Sequence, residues 1–137
     1  MLWFFLLGCQ TNPPEGLSGE QLYKRSCISC HKVNGQGIQK VYPPLAGSEW
    51  VTADPSIPIR IVLHGLKGKI TVNDVEYDSA MVGWESTLSD EQIANVVTYI
   101  RTAWGNKGTV VTAAEVKVIR EQYPSHAQWT AEQLKSK

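Results

Sequence analysis

Apolar residues recur at helical spacing in two stretches of the chain. Ile93, Val96, Val97 and Ile100, with Tyr99 beside them, put one apolar stripe on a helix. Ser89 and Gln92 form a capping box at its start, and Leu88 and Ile93 a hydrophobic staple. Asp90 and Glu91 suit the positive end of the helix dipole. The pattern predicts a helix that runs to Trp104 and stops at Gly105. Ile59, Val62, Leu63 and Leu66 predict a second helix. It opens between Asp54 and Pro58 with Ser56 as cap, because a proline deeper in the helix removes a bond. Gly65 and Gly68 weaken and end it. A shorter helix follows Ser18, boxed by Gln21, and runs into Cys27. Residues 69–77 alternate around Asn73-Asp74 and predict a small β-hairpin. Thr112 and Glu115 open a peripheral helix that reaches about Tyr123 and is stopped by Pro124. A last turn over residues 129–134 is expected to pack Trp129 onto the body.

The 137 residues give room for one domain with tails. Lys+Arg is 13 and Asp+Glu is 13, a balance that argues against a nucleic-acid partner. Residues 1–8 are wholly apolar but far short of the roughly 20 needed to span a bilayer. They read as the late part of a signal peptide, with the true start upstream of Met1. Leu6-Leu7-Gly8-Cys9 resembles the lipobox of bacterial lipoproteins, in which cleavage leaves Cys9 lipidated. Residues 9–17 would then be the lipidated cysteine and a polar, proline-broken tether to a membrane surface.

The chain has three cysteines, Cys9, Cys27 and Cys30. The last two stand in Cys27-Ile28-Ser29-Cys30-His31, the attachment signature of c-type haem. Two thiols one helical turn apart reach two vinyl groups of one porphyrin, and the next residue offers its imidazole to the iron. Three other readings compete. A structural zinc site needs four ligands, and only His64 and His126 remain, far apart. A thioredoxin-like pair expects a preceding strand, where a helix is predicted. A plain disulfide leaves His31 unexplained.

From about Ser18 to Gly105 the chain resembles a class I cytochrome c domain. The resemblance rests on Cys27-x-x-Cys30-His31, on Pro43-Pro44-Leu45-Ala46-Gly47, on Met81 in a loop before the last helix, and on that helix. Gly19, Tyr23 and Tyr99 sit where the first and last helices of the family cross. The resemblance implies a mostly α fold: an orthogonal helical bundle around one covalent haem c, here with a small β-hairpin. Residues 106–137 would be a C-terminal helical extension. It also implies that the carbonyl of Pro43 fixes the ring of His31, and that Leu45 joins the cofactor-binding residues. One aromatic, Trp50 or Trp84, would bond a haem propionate; Arg60 would pair with a propionate or be a solvated helix cation. The sequence departs from many relatives in placing Val82, not proline, after Met81.

Met81 is the only methionine past Met1, and His–Met ligation is an electron-transfer arrangement. His64, expected on a helix surface, is the rival sixth ligand, and an open position is the third possibility. The sequence therefore reads as a monohaem carrier of single electrons, not an enzyme. It would work between redox proteins, a dehydrogenase donor and an oxidase or other acceptor, in a periplasmic or other extracytoplasmic space. Two alternatives stand beside it. One is a subunit fixed to a dehydrogenase or terminal oxidase, with residues 106–137 as docking element. The other is a haem gas sensor or enzyme with a displaceable Met81. Lys24, Arg25, Lys32 and Lys40 on one side, and Asp74, Glu76, Asp78 and Glu85 on the other, predict a haem rim of mixed charge.

Overall fold

Capping boxes open four helices, each closed by a side chain three residues on. Ser18 with Gln21 opens α1 (Gly19–Ser26), Ser89 with Gln92 opens α5 (Asp90–Thr102), Thr112 with Glu115 opens α6 (Ala113–Gln122), and Thr130 with Gln133 opens α7 (Ala131–Lys135). Between α1 and α5 lie α2 (Ile28–His31), α3 (Glu49–Thr52) and α4 (Ser56–His64), then the antiparallel hairpin β1 (Ile70–Val72) and β2 (Val75–Tyr77). Ile70 pairs with Tyr77, and Asn73 and Asp74 both take positive φ, as a two-residue type I′ turn requires. The computed structural model describes residues 12–136. The apolar segment 1–8 and Cys9 lie outside them.

Several boundaries differ from the sequence reading. α4 starts one residue earlier than expected, because the Asp54 carboxylate accepts the Ser56 N–H at 2.8 Å. Pro58 then sits in the first turn, where no intrahelical N–H bond exists to be lost. Gly65, at φ 83°, ends α4 at once, so Leu66 is not on the helix. It is extended and bridges Met81 on one side and Trp129 on the other. α5 ends at Thr102, because Trp104 turns to φ 54° and folds its ring back onto Tyr23. The one-turn α3, capped by Ser48, has too short an apolar pattern to be read from sequence.

α1 crosses α5 at Gly19, where an added Cβ would overlap the carbonyl oxygen of Asn95 and lie 2.8 Å from Tyr99 Cβ. Tyr23 packs on Tyr99 and Trp104 with ring centroids 5.4 and 5.1 Å apart. Leu22, Ile59, Leu63, Ile93, Val96 and Val97 complete the core between α1, α4 and α5. Val111, Val116 and Ile119 belong to the same core, so the extension is built into the domain. A second cluster joins Ile70, Val72 and Tyr77 of the hairpin to Trp129 and Leu134.

Two arginines are buried. Arg101 donates to the carbonyls of Val51, Ala53 and Thr109. Arg60, expected in solvent or at a propionate, is 7% exposed. It donates to the carbonyls of Ser56 and Leu134 and lies 5.0 Å from the Trp129 ring centre. The described part of the expected tether also packs on the domain. Pro13 is buried, and Gln92 Nε2 donates to the carbonyls of Pro13 and Pro14. Among the described residues, no helix is long and apolar enough to cross a membrane.

Candidate functional site

Cys27 follows the last residue of α1, and its N–H donates to Tyr23 O. The single turn of α2 then carries Cys30 and His31 back over it, His31 N donating to Cys27 O at 3.0 Å. Burial pushes the Cys27 thiol up to about 12, with Cys30 adding to the rise. A thiol so raised is not the activated thiolate of a dithiol redox site. The helix before it likewise replaces the strand that such a site expects. No group of three or more His, Cys, Asp or Glu side chains is arranged to hold a metal ion among the described residues, although His64 and His126, far apart in sequence, bring their ring centres to 5.5 Å in the fold.

His31 is buried, and its Nδ1 lies 2.9 Å from the carbonyl oxygen of Pro43. A carbonyl only accepts, so Nδ1 carries a proton, and in the neutral ring Nε2 keeps its lone pair. Burial lowers the His31 pKa, with the Pro43 bond opposing, and so favours the neutral ring that a metal needs. The Pro43 carbonyl is itself held by its loop. Leu45 N and Ala46 N both donate to Gly35 O, and Gly37 N donates to His31 O. Asn106, to which the sequence assigns no role, fastens this loop to α5. Its Nδ2 donates to Leu45 O and Ile100 O, and its Oδ1 accepts from Gly47 N. The only sequence sign of it was a side chain with both donor and acceptor just past the helix end.

Met81 is placed by backbone pairing with Leu66: Met81 N donates to Leu66 O at 2.8 Å, and Leu66 N to Met81 O at 3.1 Å. Gln128 Nε2 adds a third bond, to Met81 O, at 2.7 Å. His31 and Met81 line one apolar cleft that is partly open to solvent. Cys27, Pro43, Leu45, Trp50, Val62 and Ile100 line it too. The adjoining mouth carries Cys30, Tyr42, Val82 and Trp84. Two thiols one turn apart, a neutral imidazole and a thioether on one apolar cleft fit a covalently attached haem.

The remaining candidates fall differently. Trp50 spends its indole N–H on Thr71 O at 2.8 Å, whereas Trp84 Nε1 makes no hydrogen bond among the described residues. His64 is neither on the surface nor in the cleft. It is 5% exposed, and its Nδ1 accepts from Trp129 Nε1 at 3.0 Å. It borders a separate cavity with Glu85, Arg120 and His126.

The family described as Cytochrome c matches residues 17–104. The chain is 39% identical over 106 residues to the alcohol dehydrogenase (quinone) cytochrome c subunit of Gluconacetobacter polyoxogenes, covering 75% of this chain and 22% of that protein. It is 37% identical over 126 residues to cytochrome c-552 of Thermus thermophilus, covering 85% of this chain and 95% of that protein. It is 34% identical over 112 residues to the gluconate 2-dehydrogenase cytochrome c subunit of Pantoea cypripedii, covering 76% of this chain and 24% of that protein. The chain thus spans about a fifth of the alcohol dehydrogenase subunit and nearly all of the cytochrome c-552. The family match runs from the helix before Cys27, across both walls of the cleft, to the close of α5, and the chain belongs to the cytochrome c family.

Proposed function

We propose that Cys27 and Cys30 hold one haem c through thioethers, that His31 and Met81 are its axial ligands, and that the protein passes single electrons between redox proteins. The observation that carries this is the placement of a neutral imidazole nitrogen and a thioether on one apolar cleft edged by paired thiols. When bound, the haem supplies an iron that changes by one electron, and a thioether with apolar surroundings favours its ferrous form. The chain does the rest. Pro43 orients His31, Val62 and Ile100 keep water from the ring, and Trp84, which lines the mouth and whose indole N–H has no partner among the described residues, would bond a propionate. Three backbone hydrogen bonds at Met81 favour a fixed ligand over a displaceable one.

Acid-acetone extraction tests the cofactor reading. The colour of the purified protein stays with the polypeptide if the haem is covalent, and full extraction refutes it. Met81→Ala tests the sixth ligand: the near-infrared sulfur-to-iron band of the ferric protein is lost and carbon monoxide binds the ferrous one.

The protein is further proposed to work outside the cytoplasmic membrane, held there by a lipid on Cys9, which is supported by the apolar segment and lipobox-like run before it. Relatives named as cytochrome subunits of alcohol and gluconate dehydrogenases favour a dehydrogenase as electron donor. They equally support a second reading, a subunit fixed to such an enzyme. Copurification of a dehydrogenase at constant ratio would select the second reading over a mobile carrier.

A further inference from the structure

The loop that carries Met81 has little side-chain packing of its own. Asp78, Ser79, Ala80, Val82 and Gly83 are all exposed, Val82 by 65%. No proline restricts the backbone beside Met81, so hydrogen bonds from elsewhere must hold it. Leu66 supplies two. The others come from the C-terminal extension. Gln128 Nε2 donates to Met81 O, filling the second lone pair of a carbonyl already bonded to Leu66 N. Trp129 N donates to Gly65 O, and Lys67 N to Trp129 O, which clamps the Leu66 segment from its far edge. Downstream, Arg120 donates to the carbonyls of Glu85 and Leu88 and pairs with Asp90 at 2.7 Å, while Ser125 N donates to the Glu85 carboxylate. Val116, Ile119, Trp129 and Leu134 of the extension are buried inward, while its Val110 and Val118 are exposed. The four buried side chains are spent on this domain.

We propose that residues 120–129 are a strap that positions the iron ligand, with Gln128 as a positioning residue that sets how readily the thioether of Met81 leaves the iron. The inference rests on Met81 being that ligand. Gln128 does not line the cofactor cleft; it acts through the backbone of Met81.

The test uses the full holoprotein and free imidazole as probe. In the exchange, the iron–sulfur bond breaks and an iron–nitrogen bond forms, with no change of oxidation state. At saturating imidazole the rate is limited by departure of Met81. Gln128→Glu keeps the shape but, as a carboxylate at neutral pH, cannot donate; Gln128→Ala removes the group without adding charge. Loss of one such hydrogen bond predicts exchange about fivefold to tenfold faster in both variants. Haem content and the resting near-infrared band should be unchanged. A merely structural role would shift the unfolding midpoint and leave exchange alone. Exchange within twofold of wild type in both variants, with Met81→Ala devoid of the band, overturns the strap alone. A Met81→Ala protein that keeps the band overturns the ligand assignment and the strap with it.

Discussion

His31 and His64 show how one residue type takes two roles through its surroundings. His31 turns its protonated nitrogen to Pro43 and its free lone pair away from it. His64 does the reverse: Nδ1 accepts from Trp129, so Nε2 carries the proton and lies 3.7 Å from Glu85 Oε2, too long for a hydrogen bond. Burial lowers the His64 pKa, partly offset by Glu85 and the Tyr123 backbone, while His126 and Arg120 push it further down. The neutral ring is therefore the folded form. The unfolded chain takes up its proton near the ordinary value of about 6.5. Stability is complete above that pH and falls as pH drops below it, until His64 is protonated in the folded state too. The slope for one such group reaches at most about 1.4 kcal/mol per pH unit. Chemical denaturation of wild type and His64→Gln between neutral and acid pH should show a shallower decline in the variant. Equal slopes would mean that His64 titrates normally.

Two further outcomes belong at this scale. Cys27→Ala or Cys30→Ala should sharply reduce haem loading, since under the proposed attachment each thiol would supply one of two covalent links. Asn106→Ala removes side-chain bonds to three backbone groups between the Pro43 loop and α5. It should cost on the order of 1–3 kcal/mol, measured by guanidinium unfolding.

Among the elements, the crossing of α1 and α5 decides whether the wall that carries Cys27 and His31 meets the core. Gly19→Ala pits two effects against each other. Alanine favours a helix over glycine by up to about 1 kcal/mol. The new methyl would overlap the Asn95 carbonyl, part of a rigid helix backbone that cannot give way as a side chain would. Overpacking of this kind costs about 1–3 kcal/mol, and the steric effect should win. A denaturation midpoint at or above wild type would show that the helices part without penalty.

Over the whole molecule, the expected rim of mixed charge changes in one member. Glu85 is half-buried and turned toward Ser125 and His64, away from the cleft mouth. Lys24 pairs with Glu20 at 3.1 Å, and Lys69 with Glu76 at 3.8 Å, so part of each sign is locally balanced. Strong steering needs a field of one sign reaching beyond about 8 Å at physiological salt. Electron transfer with a natural partner, followed by stopped flow, should therefore depend only weakly on salt. A drop of roughly a hundredfold from low to high salt would mean a one-signed docking face.

What the sequence determined by itself was everything set within a turn or two. Ser18 closes its box with Gln21 three residues on, Asn73-Asp74 turns the strands on either side of it, and Cys27, Cys30 and His31 share one turn. Such contacts require no knowledge of the fold. Tertiary structure decided the rest, because the partners lie far apart in the chain. Arg60 reads as a surface cation until Leu134, 74 residues away, covers it. His64 reads as a surface histidine until Trp129, 65 residues away, claims its nitrogen. Gln128 reads as nothing until the fold brings it to Met81, 47 residues back. A polar side chain's role depends on which group it meets once water is excluded, and only the packed chain supplies that group.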